Sequence, residues 1–89
     1  LLIGFAAETQ NLLEEARRKM ISKNCDMVIA NLVGRDGMGF DADQNEIDIL
    51  IRSGRTIHAG PADKREIAER ILDQIAVLRL AIRAVETQA

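Results

Sequence analysis

The chain has 89 residues, 47% of them hydrophobic and 29% charged, which fits one soluble globular domain and excludes a disordered chain. Twelve basic against fourteen acidic residues leave a net charge of −2, and two Phe with no Trp or Tyr supply no stacking platform, so a generic nucleic-acid binder is excluded. One Cys and one His allow neither an internal disulfide nor a zinc set, and no apolar run approaches the roughly 18 residues of a membrane span.

Leu1-Leu2-Ile3-Gly4-Phe5-Ala6 is a continuous apolar run and predicts a strand covered on both faces. A chain that opens inside a sheet, without a targeting segment, reads as a fragment of a longer one. Asn11 and Glu14 have the spacing of a capping box, with Thr9 as a competing cap. They predict a helix from about Leu12 to Lys23, stopped by Asn24, a residue suited to the left-handed region. Asp26 to Asn31 forms the second strand. Strand, helix and strand in so short a stretch make one βαβ unit, with parallel strands and a right-handed crossover.

Residues 34–45 form a Gly- and Asp-rich loop, long for a compact domain. From Glu46 to Ile51 the pattern alternates. Ile47, Ile49 and Ile51 point one way and Glu46, Asp48 and Leu50 the other, as in a half-buried strand. Ser53-Gly54 predicts a two-residue turn, and Arg55 to His58 a short return strand. Pro61 precedes a second helix, for which Asp63 and Glu66 form another capping box. It is expected from about Lys64 to Val85, with Ile67, Ile71, Ile75, Leu78, Ile82 and Val85 on one stripe. Its last two turns run past the edge of so small a sheet and are expected to pack on another part of the parent chain or on a second subunit. The fold class is therefore α/β: an incomplete Rossmann-like three-layer fold, in which a βαβ unit is followed by a β-hairpin and a long C-terminal helix. Residues 1–85 form the domain portion and 86–89 a tail.

Most candidate motifs fail on chemistry. Gly34, Gly37 and Gly39 have the spacing G-x-x-G-x-G, and a strand follows where a phosphate site needs a helix N-terminus. A plain loop is the better reading. Asp41, Asp43 and Asn45 resemble the start of a calcium loop, but Glu46 stands where its Gly belongs and Arg52 where its Glu belongs. His58 has no nucleophile or carboxylate at a recognisable spacing and reads as a structural or surface residue. Cys25 reads as a small buried filler. No catalytic or metal-ligating residue emerges.

Lys19 and Lys23 depart from the pattern. At about 100° per residue, Leu13, Ala16 and Met20 define the inward face of the first helix, with Arg17 at its edge and Arg18 outside. Lys23 falls within the apolar arc and Lys19 at its margin, so two ammonium groups lean toward the covered side, which solvated charges avoid. Two accounts fit. Cations favour the last turn of a helix, and their stems can snorkel to water. Alternatively, the pair holds a polyanion such as a triphosphate.

Gly4-Phe5-Ala6-Ala7-Glu8-Thr9, Ala16, Lys19, Lys23, Asp26 to Asn31, Gly37-Met38-Gly39-Phe40, Asn45 and Lys64 to Leu72, in this order, resemble the C-terminal part of the bacterial phosphopantothenate–cysteine ligases. The resemblance runs from Leu1 to about Ile75. These ligases are usually the second half of a bifunctional coenzyme A biosynthesis flavoprotein. The resemblance implies a cytoplasmic, dimeric Rossmann-like ligase that activates 4′-phosphopantothenate with CTP and magnesium. The acyl-cytidylate so formed is attacked by the amine of cysteine, and pyrophosphate is released. FMN belongs only to a fused decarboxylase half. Phe5, Lys19 and Lys23 match family positions that contact CTP. Phe5 is expected at the end of a parallel strand, where open sheets place ligands. Helix length would set it roughly 15–20 Å from the lysines. The family's A-D-[FY]-R-P stretch, its K-x-K-K lysines and the asparagine that processes the acyl-cytidylate have no counterpart in this chain. The 89 residues alone are therefore expected not to turn over, and the homodimer to form through the absent part. The competing expectation is a non-enzymatic α/β module used for packing or dimerisation.

Overall fold

Alternating apolar positions in four segments build one sheet, and two amphipathic segments cover it. The computed structural model describes residues 1–8, 11–32 and 44–88. In chain order the elements are β1 (Ile3–Glu8), α1 (Leu12–Ser22), β2 (Met27–Leu32), β3 (Gln44–Ile51), β4 (Thr56–Asp63) and α2 (Lys64–Gln88). The sheet order is β1-β2-β3-β4. β1 and β2 are parallel, with Phe5 opposite Ile29 and Ala7 opposite Asn31. β2–β3 and β3–β4 are antiparallel. The α/β class, the βαβ unit, the hairpin and the long C-terminal helix are all present.

The sheet has a core on each face, which makes three layers. On one face Ala16 and Met20 of α1 pack with Ala6, Cys25, Val28, Ala30 and Leu50. On the other, Ile67, Ile71, Ile75 and Leu78 of α2 pack with Met27, Ile29, Ile47, Ile49, Ile51 and Ala59. The coverage is staggered. α1 lies mainly over β1 and β2, whereas α2 lies over β3 and β4. One half of each face therefore carries no described helix.

That stagger accounts for two departures from the sequence pattern. Among the described residues β1 is an edge strand and no helix covers its second face, so Phe5 is 67% exposed. Leu50, placed with the outward set, is fully buried, because α1 reaches over the β2–β3 pair and closes on its side chain. Leu13 departs in the opposite direction. It was placed inward and is exposed, while Ala16 and Met20 are buried.

Helix ends also differ. Asn11 precedes α1 in a left-handed conformation, φ 53° and ψ 36°, with no side-chain cap bond. A capping side chain needs the extended backbone of an ordinary N-cap, so the capping box does not form. Thr9 lies outside the described residues. Asn24 does take the left-handed stop, at φ 55°. At α2, Asp63 Oδ1 accepts the Glu66 backbone N–H at 2.7 Å, and the helix continues to Gln88, past its expected end. Leu78 is the last α2 residue packed on the sheet core, and the Val85 side chain lies outside the described set.

The hairpin is longer than its sequence pattern. Three residues, Arg52 to Gly54, join β3 to the return: the Ile51 carbonyl accepts the Gly54 N–H at 2.9 Å, and Ile51 N–H donates to the Arg55 carbonyl at 2.9 Å. Gly54, at φ 110°, supplies the positive φ of such a loop. β4 has eight residues and runs through Pro61, which precedes α2 as expected but lies within the strand. An edge strand tolerates a proline, because the missing N–H faces away from the ladder. Asn45 pairs with Ala62 and Ile47 with Ala59, so β4 carries one extra residue at Gly60–Pro61, a bulge. The Gly60–Pro61 peptide is cis.

Candidate functional site at the free edge of the first strand

α1 folds back beside β1, so the late turns of the helix return to the middle of the strand. Lys19 Nζ donates to the Phe5 backbone carbonyl at 3.1 Å. The long separation expected between Phe5 and the lysines therefore does not arise. Phe5 is also not at the strand end, being the third of six residues in β1.

Between this flank of α1 and the edge of β1 lies an open groove of about 160 Å³, lined by Ala6, Glu15, Arg18, Lys19, Ser22 and Lys23. It carries three cations and one carboxylate, and Arg18 is paired with Glu15. Lys19 is half-buried; Lys23 is exposed and does not lean inward. The reason is local. α1 ends at Ser22, and Lys23 leaves the helix at φ −99° and ψ 1°, so its side chain departs from the helical wheel. Lys23 nonetheless stays on the groove, its backbone N–H held by the Lys19 carbonyl at 2.9 Å.

The Phe5 ring does not face the groove. Side chains alternate along a strand, and Ala6 belongs to the core under α1 while Ile3 packs on the other core. Phe5 shares the side of Ile3, on the half-face without a described helix. The ring and the ammonium groups thus flank the two sides of one edge.

Asn31 was not singled out from sequence. It stands in β2 opposite Ala7, and its neighbours at alternate positions, Met27 and Ile29, belong to the core on the Phe5 side. Its Oδ1 is buried and has no hydrogen-bond partner among the described residues. Such an acceptor costs free energy unless a donor arrives. The available signal was a polar residue at an inward position of an otherwise apolar strand.

His58, for which spacing singled out no carboxylate, has two beside it. Asp48 and Glu46 lie on the ring's two nitrogens, brought there by the cross-strand register of the hairpin. Cys25 is buried, as expected. The Gly34, Gly37, Gly39 loop and Asp41 and Asp43 lie outside the described residues. Among the described residues no three His, Cys, Asp or Glu groups converge on a point that could hold a metal ion. No described helix is long and apolar enough to cross a membrane.

Residues 1–78 match the model of the DNA/pantothenate metabolism flavoprotein C-terminal domain. The chain belongs to this family. The chain is 40% identical over 78 residues to the coenzyme A biosynthesis bifunctional protein CoaBC of Bacillus subtilis (strain 168), covering 88% of this chain and 19% of that protein. It is 37% identical over 75 residues to the protein of the same name from Escherichia coli (strain K12), covering 83% of this chain and 18% of that one. The fold matches the crystal structure of the C-terminal domain of coenzyme A biosynthesis bifunctional protein CoaBC with a TM-score of 0.74 and 36% identity, over 91% of this chain and 36% of that one. The chain thus spans about a fifth of the length of the curated relatives it matches.

Proposed function

We propose that the chain is part of a CTP-dependent ligase that joins 4′-phosphopantothenate to cysteine in coenzyme A biosynthesis, and that the free edge of β1 holds the nucleotide. The observation that carries this reading is the Lys19–Phe5 contact, with Lys23 on the same groove and an exposed aromatic ring on the far side of the edge. Family membership and the resemblance to CoaBC proteins support it.

Lys19 and Lys23 hold the triphosphate. As the substrate carboxylate attacks the α-phosphorus, negative charge builds on the departing pyrophosphate, and fixed ammonium groups stabilise that state more than the ground state. The Phe5 ring packs on the nucleotide across the edge. Asn31 Oδ1, a buried acceptor on the same side, accepts a hydrogen bond from an exocyclic amine such as that of cytosine. Magnesium accompanies triphosphate chemistry of this kind, but the described residues offer it no ligand set, and no step is assigned to it here. FMN belongs to a fused decarboxylase half. The reading carries with it a cytoplasmic homodimer joined outside these residues, a ligase portion at 1–85 and a tail at 86–89.

In the full-length protein, Lys19→Ala and Lys23→Ala should each weaken CTP binding by about 1–3 kcal/mol, the range of one charge-assisted bond. Calorimetric titration reads this directly, and unchanged affinity in both variants rejects the site. One observation favours the second reading, a packing or dimerisation module. The Lys19 bond to a backbone carbonyl is itself a structural tie. On that reading Lys19→Ala lowers stability and leaves CTP affinity as it was.

A further inference from the structure

His58 stands directly opposite Asp48 in the β3–β4 ladder, on the half of the α1 face that no described helix covers. Its Nδ1 lies 2.7 Å from Asp48 Oδ1 and its Nε2 lies 2.8 Å from Glu46 Oε2. An ionised carboxylate only accepts hydrogen bonds, and a neutral imidazole has only one N–H. Both contacts are hydrogen bonds only when both ring nitrogens carry a proton. A neutral ring would turn a lone pair toward one carboxylate.

The Glu46 contact sits at a break in the backbone ladder, whereas Asp48 and His58 are a regular ladder pair beside it. Glu46, Gly60 and Pro61 have no partner in the register, since pairing jumps from Asn45–Ala62 to Ile47–Ala59. The Glu46 N–H donates to the Asn45 side chain at 2.8 Å, and Pro61 has no N–H to give. Side chains here do what ladder bonds do elsewhere in the hairpin.

We propose that His58 is a proton-dependent clamp across the bulged end of the hairpin: charged, it ties Glu46 and Asp48 of β3 to β4, and neutral, it releases one of them. Glu46 is the one released, because its side chain is 30% exposed against 14% for Asp48 and water can replace the ring more readily. Release also leaves two carboxylates on one face without the cation between them.

Among the described residues few other charges face the ring. α1 contributes Arg17, whose Nη2 donates to Thr56 Oγ1 at 3.3 Å on this face. Arg52, at the far end of β3, is bonded to Asn24. β2 presents Ala30 opposite Asp48, and α2 lies on the other face. The Asp48 hydrogen bond raises the imidazole above its ordinary 6.5, against the opposing pull of burial, with the Asp48 charge and the Glu46 contacts adding to the rise. A raised folded value means the clamp is fully engaged below 6.5 and is lost as pH rises through the folded value.

The chain has one histidine, so its ring signals have a single source in an NMR titration of the full chain. The expected result is two protonated ring nitrogens at the acid end and a midpoint above 6.5, with the backbone amides of Glu46, Gly60 and Ala62 shifting at that same midpoint. Asp48→Asn should move the midpoint down, and His58→Gln should abolish the coupled amide shifts. A midpoint at or below 6.5, or bulge amides that ignore the His58 titration, overturns the proposal. The unsubstituted chain decides both points, so a variant that fails to fold costs the test nothing.

Discussion

Asp26 and Leu2 bond each other in both directions. Asp26 Oδ2 accepts the Leu2 backbone N–H at 2.8 Å, and the Asp26 N–H donates to the Leu2 carbonyl at 2.8 Å. The Asp26 carboxylate therefore works as a fastener between the start of β1 and the entry to β2. Removing the carboxylate in Asp26→Ala should cost about 1.5–3 kcal/mol, the range for hydrogen bonds to charged groups. Asp26→Asn keeps an acceptor and should cost less. Urea unfolding curves of the two variants give the comparison, and equal losses would mean that the side chain makes no such bond in solution.

Gly60 and Gly54 both have positive φ, 100° and 110°, but different surroundings. A Cβ at Gly60 would lie 2.6 Å from the Asn45 carbonyl oxygen and 3.0 Å from Glu46 Cα, both backbone atoms, whereas one at Gly54 would meet nothing within 4 Å. Gly54→Ala should cost about 1–2 kcal/mol, the penalty of the left-handed region alone. Gly60→Ala adds the clash and should cost clearly more. Thermal melts that rank them in the opposite order would contradict the bulge.

Leu50 is fully buried and Leu80 is 67% exposed, although both are leucines on strongly apolar segments. Leu50→Ala should destabilise by about 2–5 kcal/mol, and Leu80→Ala should fall within about 0.5 kcal/mol of the parent. Denaturant midpoints check this. A small Leu50 effect would mean that α1 does not close over the β2–β3 pair.

Asn31 offers a test that separates fold from function. Its buried Oδ1, which has no partner among the described residues, costs the free protein stability. Asn31→Leu should therefore leave thermal stability unchanged or raise it, while CTP affinity in the full-length protein falls by about 1–3 kcal/mol. Lower stability with unaltered affinity would make Asn31 a structural residue.

Periodicity revealed the order of elements, the parallel pair and the α2 stripe, because burial on one side of a helix or strand writes itself into spacing. It misplaced Leu50 and Leu13, whose exposure depends on how far α1 reaches across the sheet, a tertiary quantity without a local signature. Lys19 stood out as a charge at the margin of the apolar arc, and it does reach the edge of β1. Lys23 shared that anomaly on the wheel but leaves the helix before the wheel applies. The partners of His58 were invisible to spacing because they depend on hairpin register. The extra residue at Gly60–Pro61 fixes that register at the far end of β4.

The staggered helices have a mechanical consequence. α1 and α2 do not touch among the described residues, so strain that a ligand sets up at β1 reaches α2 through the sheet, across the β2–β3 seam of Met27–Asn31 against Ile47–Ile51, or through α1 where it rests on Leu50 of β3. A stiff seam makes the two halves move as one plate; a substitution that softened it would leave the α1 contact on Leu50 as the remaining tie between the hairpin and the first half.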